Sequence, residues 1–112
     1  MTSAMPVDLA HLARYTGGDS AVNREILELF MRQSSALLAQ LAAARDGKTW
    51  HDIAHSLKGA ARGIGAFALA DIAAEAEPLD PATQRARTEA LLPRLKAGTQ
   101  AVQTFIEAYL AA

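Results

Sequence analysis

The sequence predicts an all-α chain, an antiparallel up-down four-helix bundle with a short extra helix at its N-terminal end. Three observations lead there. Apolar residues recur at spacings of three and four over several long stretches, the signature of helices with one buried face. Alanine and leucine are abundant while β-branched and aromatic residues are few, a composition that favours helix over strand. The breaks between the periodic stretches are short, and short connections favour antiparallel neighbours.

Asp8 to Tyr15 reads as a short amphipathic helix with Leu9, Leu12 and Ala13 inward, ended by Gly17-Gly18. Asp19 or Ser20 then caps a long helix whose apolar positions are Val22, Ile26, Leu29, Phe30, Leu37, Leu38 and Leu41, with Gly47 as its stop. Thr49 followed by Asp52 resembles a capping box and opens a third helix, closed by Gly63 and Gly65. Ala66 to Glu77 forms the next, with Phe67, Leu69, Ala70, Ile72 and Ala73 available for packing before Pro78; Leu79-Asp80-Pro81 is a turn. The pattern resumes from Ala82 to Leu110, where Pro93 predicts a kink or a restart between Glu89 and Pro93, because proline lacks the helical N–H and crowds the preceding turn.

Composition narrows the function. The 112 residues suit one domain, spanning 1–112, long enough to bury roughly 60–70% of the unfolded surface. Eleven basic and twelve acidic residues leave a net charge of −1, too little for a long-range field toward nucleic acid or an anionic membrane. The absence of cysteine excludes disulfides and thiolate metal sites. No apolar run approaches the ~18 residues of a membrane span. The start, Met1-Thr2-Ser3-Ala4-Met5-Pro6, lacks the charged and apolar blocks of a signal peptide, so the cytoplasm is the default compartment.

The third helix carries the chemistry. At about 100° per residue, Ile53, Leu57, Ile64 and Trp50 fall about 140–180° from His55, so the histidine faces away from the core. On its own side lie His51, Lys58, Gly59 and Arg62, two imidazoles, two fixed cations and a residue without a side chain. A neutral imidazole can attack phosphorus and carry the phosphoryl group covalently. Lys58, in solvent one turn on, is placed to offset the arriving charge. Gly59 costs about 1 kcal/mol relative to alanine inside a helix, a cost that makes sense where a partner must approach closely. By the same topology Glu75 or Glu77 returns to the level of His55, where a carboxylate would accept the Nδ1 hydrogen bond and leave Nε2 free. His11 and His51 read as ordinary surface histidines and Trp50 as a core aromatic.

The run His55-x-x-Lys58-Gly59, with Gly65 ten positions after the histidine, resembles the histidine-containing phosphotransfer (HPt) domains of bacterial multistep phosphorelays. The resemblance implies a helical bundle in which His55 accepts and donates the phosphoryl group, Lys58 contacts it and Gly59 admits the partner. It places a polar residue, here Glu77, beside the histidine. Where many members have a small residue seven positions on, this chain has Arg62, which would add phosphate affinity or alter partner choice; with His51 and Glu77 it is a candidate for docking the partner or orienting the histidine. The implied partners are response-regulator receiver domains, which supply the Mg²⁺, and a hybrid sensor histidine kinase; the chain itself needs no cofactor and is expected to act as a monomer. With no nucleotide-binding motif it is a carrier rather than an enzyme. Its end at Ala112 speaks against the phosphotransfer module of a chemotaxis-type kinase. His51 and His55 share the i, i+4 spacing of a zinc pair, yet the acidic residue between them does not match the HExxH position, so no metal is assigned. The competing reading is a helical interaction or dimerisation module that binds receivers or kinases without carrying phosphate.

Overall fold

The computed structural model describes residues 5–112. These form five helices and no strand: α1 (Leu9–Thr16), α2 (Ser20–Ala43), α3 (Gly47–Gly63), α4 (Phe67–Ala76) and α5 (Arg85–Ala111). Residues 1–4, most of the stretch read above as lacking a signal peptide, lie outside the described part. Among the described residues no helix is long and apolar enough to cross a membrane.

Aspartates set three of the helix starts. Asp8 accepts from the His11 N–H at 3.1 Å, Asp19 from Ala21 and Val22 at 2.9 and 3.1 Å, and Asp46 from Thr49 at 2.9 Å. Each satisfies donors that the first helical turn leaves without partners. The Asp46 cap corrects the sequence reading. α2 ends at Ala43, Gly47 opens α3 rather than stopping α2, and the cap is Asp46 rather than Thr49, whose hydroxyl also donates to Asp46 at 2.9 Å. Asp52 pairs instead with Lys48 at 2.8 Å.

The buried stripe of α2 is Asn23, Leu27, Phe30, Ser34 and Leu41, which at about 100° per residue spans only about 60° of the helix surface. Val22 and Leu29, expected inside, lie about 100–120° off that stripe and are exposed. Leu9 and Phe67 are exposed as well, Phe67 lying edge-on to His11. Polar Asn23 and Ser34 occupy inward positions that an apolar tally passes over.

The contacts between helices close a ring: α2 on α3, α3 on α4, α4 on α5 and α5 on α2, with α1 against α2. Asn23 Nδ2 donates to Tyr109 Oη at 3.4 Å and Gln103 Nε2 to Ser34 Oγ at 3.2 Å, fixing the register of α2 on α5. Between α3 and α4 the core is largely alanine, with Ala54, Ala61, Ala70, Ala73 and Ala76 all at most 1% exposed. Small side chains let these two helices approach closely, and this is the most extensively packed pair.

Gly65 makes the turn between them. Its φ of +79° is a left-handed conformation in which L side chains are strained. Its N–H donates to Arg62 O at 3.1 Å and the Ala66 N–H to Ala61 O at 2.8 Å, the paired bonds of a Schellman C-cap. The Gly65 carbonyl also accepts from Asp8 N at 3.0 Å, tying the N-terminal segment to the turn.

Pro93 causes no restart. α5 runs unbroken from Arg85, and both Pro93 and Glu89, whose carbonyl loses its partner, are on the exposed side. The helix begins at Arg85 rather than Ala82 because Asp80 and Gln84 close a turn first: Ala82 N–H donates to Asp80 Oδ1 at 2.8 Å and Gln84 N–H to Asp80 O at 2.7 Å.

Two glycines two residues apart should respond in opposite directions. Nothing lies within 4 Å of a Cβ built on helical Gly63, so Gly63→Ala should stabilise the protein by about 0.5–1 kcal/mol. At Gly65 the added Cβ would meet Asp8 O at 2.7 Å in a left-handed backbone, and Gly65→Ala should cost about 1–3 kcal/mol. Urea unfolding midpoints of the two variants check both signs.

Candidate functional site

The end of α4 is built to be gripped by α3. Glu77 follows the last helical residue and Pro78 ends the helix, so the final carbonyls have no intrahelical donor. Buried Trp50 donates its indole N–H to Ala76 O at 2.6 Å. One residue on, His51 Nδ1 lies 3.1 Å from Glu77 O. A carbonyl can only accept, so the proton is on His51 Nδ1.

With its backbone held on both sides, Glu77 divides its carboxylate between two residues of α3. Oε1 accepts from His55 Nδ1 at 2.5 Å and Oε2 from Lys58 Nζ at 2.5 Å. The side chains of Glu77 and Lys58 are 13% and 17% exposed, against 66% for His55. The support is covered while the imidazole stands open. The hydrogen bond from Lys58, joined by that from His55, holds the Glu77 carboxyl below its usual value of 4.5 despite burial. As an ionised carboxylate it is acceptor-only, so His55 Nδ1 carries a proton, and in the neutral ring the lone pair belongs to Nε2. The His51 ring lies nearly parallel to that of His55, 13° apart with centroids at 6.0 Å.

Most of the residues singled out in the sequence meet here. Of the two glutamates offered, Glu77 is the one at His55, whereas Glu75 holds Arg94 through both oxygens at 3.0 and 3.1 Å. Gly59 is exposed, with nothing within 4 Å of an added Cβ. Arg62 is exposed on the same face. One reading needs correction: Lys58 is not a solvated cation but one arm of the clamp on Glu77. His51 stays on the surface as expected, with its Nδ1 held by the Glu77 carbonyl. Sequence reasoning also missed the part Trp50 plays in pinning Ala76. An aromatic on the core side of α3 announces burial, and only the position of α4 reveals where its N–H goes.

The Hpt domain profile matches residues 25–108 of this chain. The chain belongs to the Hpt domain family, a class of histidine phosphotransfer domains. Among solved structures it is similar to histidine-containing phosphotransfer protein B (HptB) from Pseudomonas aeruginosa PAO1, at 26% identity and a TM-score of 0.82 over 96% of each chain. It is also similar to the histidine phosphotransferase ShpA from Caulobacter crescentus, at 32% identity and a TM-score of 0.70, covering 95% of this chain and 91% of that one. No curated protein sequence matches it closely enough to count as a relative.

Because folding lowers the Glu77 pKa, ionised Glu77 contributes stability that is fully present above its unfolded value and is lost as pH falls through the folded one. Glu77→Gln should therefore be less stable than the wild type at pH 7, and the gap should narrow below about pH 5 as the wild-type carboxylate protonates. Urea midpoints at a series of pH values measure this; a gap that stays constant into acid would remove the ionic clamp.

Proposed function

We propose that this chain is a histidine phosphocarrier that shuttles a phosphoryl group between receiver-domain aspartates, with His55 Nε2 as acceptor and donor. The observation that carries the proposal is the pairing of the His55 Nδ1–H with the covered Glu77 carboxylate. It turns the Nε2 lone pair toward the open side, one turn from a glycine that leaves room for a partner.

In the forward step the Nε2 lone pair attacks phosphorus, an N–P bond forms, and the bond from phosphorus to the aspartate oxygen breaks with its electron pair returning to the carboxylate. The ring gains positive character while keeping its Nδ1 proton, and Glu77 is already in place to compensate it. Lys58 acts through Glu77, holding that carboxylate ionised and oriented. The return step reverses each change. The Mg²⁺ is the receiver's. The reading assigns this chain no cofactor of its own; beside His55 the carboxylates of Glu77 and Asp52 are each paired with a lysine, at 2.5 and 2.8 Å, rather than turned to a cation.

The family and the two structural neighbours support receivers and a hybrid sensor kinase as partners. The balanced net charge supports a protein without nucleic-acid or anionic-membrane partners, and the reading takes it as a cytoplasmic monomer. The cross-helix register supports the finer fold reading, an antiparallel up-down four-helix bundle of α2 to α5 with α1 as the extra helix, in one domain over residues 1–112.

Two variants test the reading. Incubated with a phosphorylated receiver, the wild type should gain acid-labile, base-stable label and His55→Gln none; retention of signalling by His55→Gln would favour a non-phosphorylated interaction module. Gly59→Gln should fold yet slow transfer at least tenfold, because in-line attack tolerates little misplacement of the reacting atoms. A folded Gly59→Gln protein that transfers at the wild-type rate would remove the clearing from the docking site.

A further inference from the structure

One residue holds both imidazoles of α3. His51 Nδ1 donates to the backbone carbonyl of Glu77 at 3.1 Å and His55 Nδ1 to its carboxylate at 2.5 Å. Neither partner has a proton to give, so each neutral ring keeps its proton on Nδ1 and its lone pair on Nε2. The two nitrogens of an imidazole point to opposite sides of the ring. With both Nδ1 atoms turned to Glu77, both Nε2 atoms turn away from it. The rings are 13° from parallel with centroids 6.0 Å apart, which sets the two Nε2 atoms side by side. His51 is exposed and makes no other side-chain hydrogen bond among the described residues. Phosphoryl transfer as described above uses Nε2 of His55 and leaves Nε2 of His51 free.

Helical side chains lean toward the N-terminus, so a group carried on His55 is tilted over the turn that bears His51. The 6.0 Å between the rings is the span of one N–P–O unit followed by one hydrogen bond of about 2.8 Å. Lys58 stands on the other side of His55, where its bond to Glu77 occupies one N–H donor and leaves the others for phosphoryl oxygens. The remaining charged groups near His51 are already matched. Asp52 is paired with Lys48 at 2.8 Å and Glu77 with Lys58 at 2.5 Å. Asp80 lies against Gly47, one turn before His51, and accepts from the Ala82 N–H. α2 brings Gln40, Ala43 and Ala44 to the Asp52 side, none of which titrates. A phosphoryl group on His55 is therefore the largest unmatched charge that His51 meets.

We propose that His51 is a second binding group for the phosphoryl group on His55: as that group arrives, His51 takes up a proton from solvent at Nε2 and donates it in a charge-assisted hydrogen bond to a phosphoryl oxygen. The inference rests on the phosphocarrier reading and adds a contact to it. The only bond added to those of the transfer step is the Nε2–H of His51, and that proton returns to solvent when the phosphoryl group departs. Because imidazole titrates between about pH 5 and 8, the carrier holds its phosphoryl group more firmly as pH falls through the His51 transition.

The test charges the full chain with potassium phosphoramidate, whose P–N bond breaks with release of ammonia as the bond to Nε2 of His55 forms. The ring-proton resonances of His51 are titrated before and after, with His11 on α1 as internal reference. Phosphorylation should raise the His51 midpoint by about one pH unit, the size given by an opposite charge within about 4–6 Å, and should leave His11 unmoved. At least half of the rise should persist in 0.5 M salt, since a hydrogen-bonded pair resists the screening that removes a distant field. In a second arm, His51→Asn keeps an N–H for Glu77 O in place of Nδ1–H and removes Nε2. The second ionisation of its phosphoryl group, followed by the ³¹P resonance, should move up by about half a pH unit, in keeping with the loss of an exposed ion pair. A His51 midpoint unmoved by phosphorylation, a rise lost entirely in 0.5 M salt, or an unchanged ³¹P midpoint in His51→Asn would overturn the contact and leave the phosphocarrier reading intact. Absence of any phosphohistidine resonance in the wild type would overturn both.

Discussion

Two oxygens of one carboxylate organise the functional face. Glu77 Oε1 takes the Nδ1 proton of His55, and Oε2 takes an ammonium proton of Lys58. Each bond constrains the other. The lysine keeps the carboxylate ionised, the ionised carboxylate can only accept, and an acceptor at Nδ1 decides which imidazole nitrogen is left with a lone pair. The clamp depends in turn on backbone placement. Trp50 holds Ala76 O and His51 approaches Glu77 O, so the residue bearing the carboxylate is located by two further contacts from α3. The close α3–α4 packing permitted by the alanines, and the left-handed turn at Gly65, bring the two segments within reach.

This arrangement separates rigidity from access. Glu77 and Lys58 are mostly covered, where a charge-assisted hydrogen bond is little diluted by water. The imidazole they orient is mostly exposed, and the glycine beside it keeps the approach clear. A carrier that must meet partners in succession has use for such a division, because the nucleophile is oriented before any partner arrives and no loop has to move. The chemistry contributed by the chain is small: one lone pair, one compensating carboxylate and the charge that meets the phosphoryl group.

The sequence made the placement of the site readable and left its wiring hidden. His55, Lys58 and Gly59 share a face by helical spacing alone, and Glu77 follows once a turn at Gly65 folds the chain back. Helical geometry left Glu75 and Glu77 both open, two residues apart; the family resemblance pointed to Glu77, and the exit of the chain at Pro78 shows why. Lys58 was misread because periodicity places a lysine on the outer face without showing that its ammonium turns in to a carboxylate from another helix. In the fold, the boundary between α2 and α3 was misplaced because Gly47 suits a helix end as well as a helix start, and Asp46 settles the matter by its side-chain direction. The inward face of α2 was blurred for a different reason. Its stripe includes Asn23 and Ser34, so the count of apolar residues points partly toward exposed Val22 and Leu29.

The central claim is that Glu77 fixes His55 as the Nδ1–H tautomer with the lone pair on Nε2. Long-range ¹H–¹⁵N correlation of the imidazole, recorded where the ring is neutral, reads this directly because protonated and unprotonated ring nitrogens resonate far apart. The account predicts a protonated Nδ1 and an unprotonated Nε2 at His55, with the preference lost in Glu77→Ala. A wild-type His55 protonated at Nε2, or one whose tautomer is indifferent to Glu77, would contradict it.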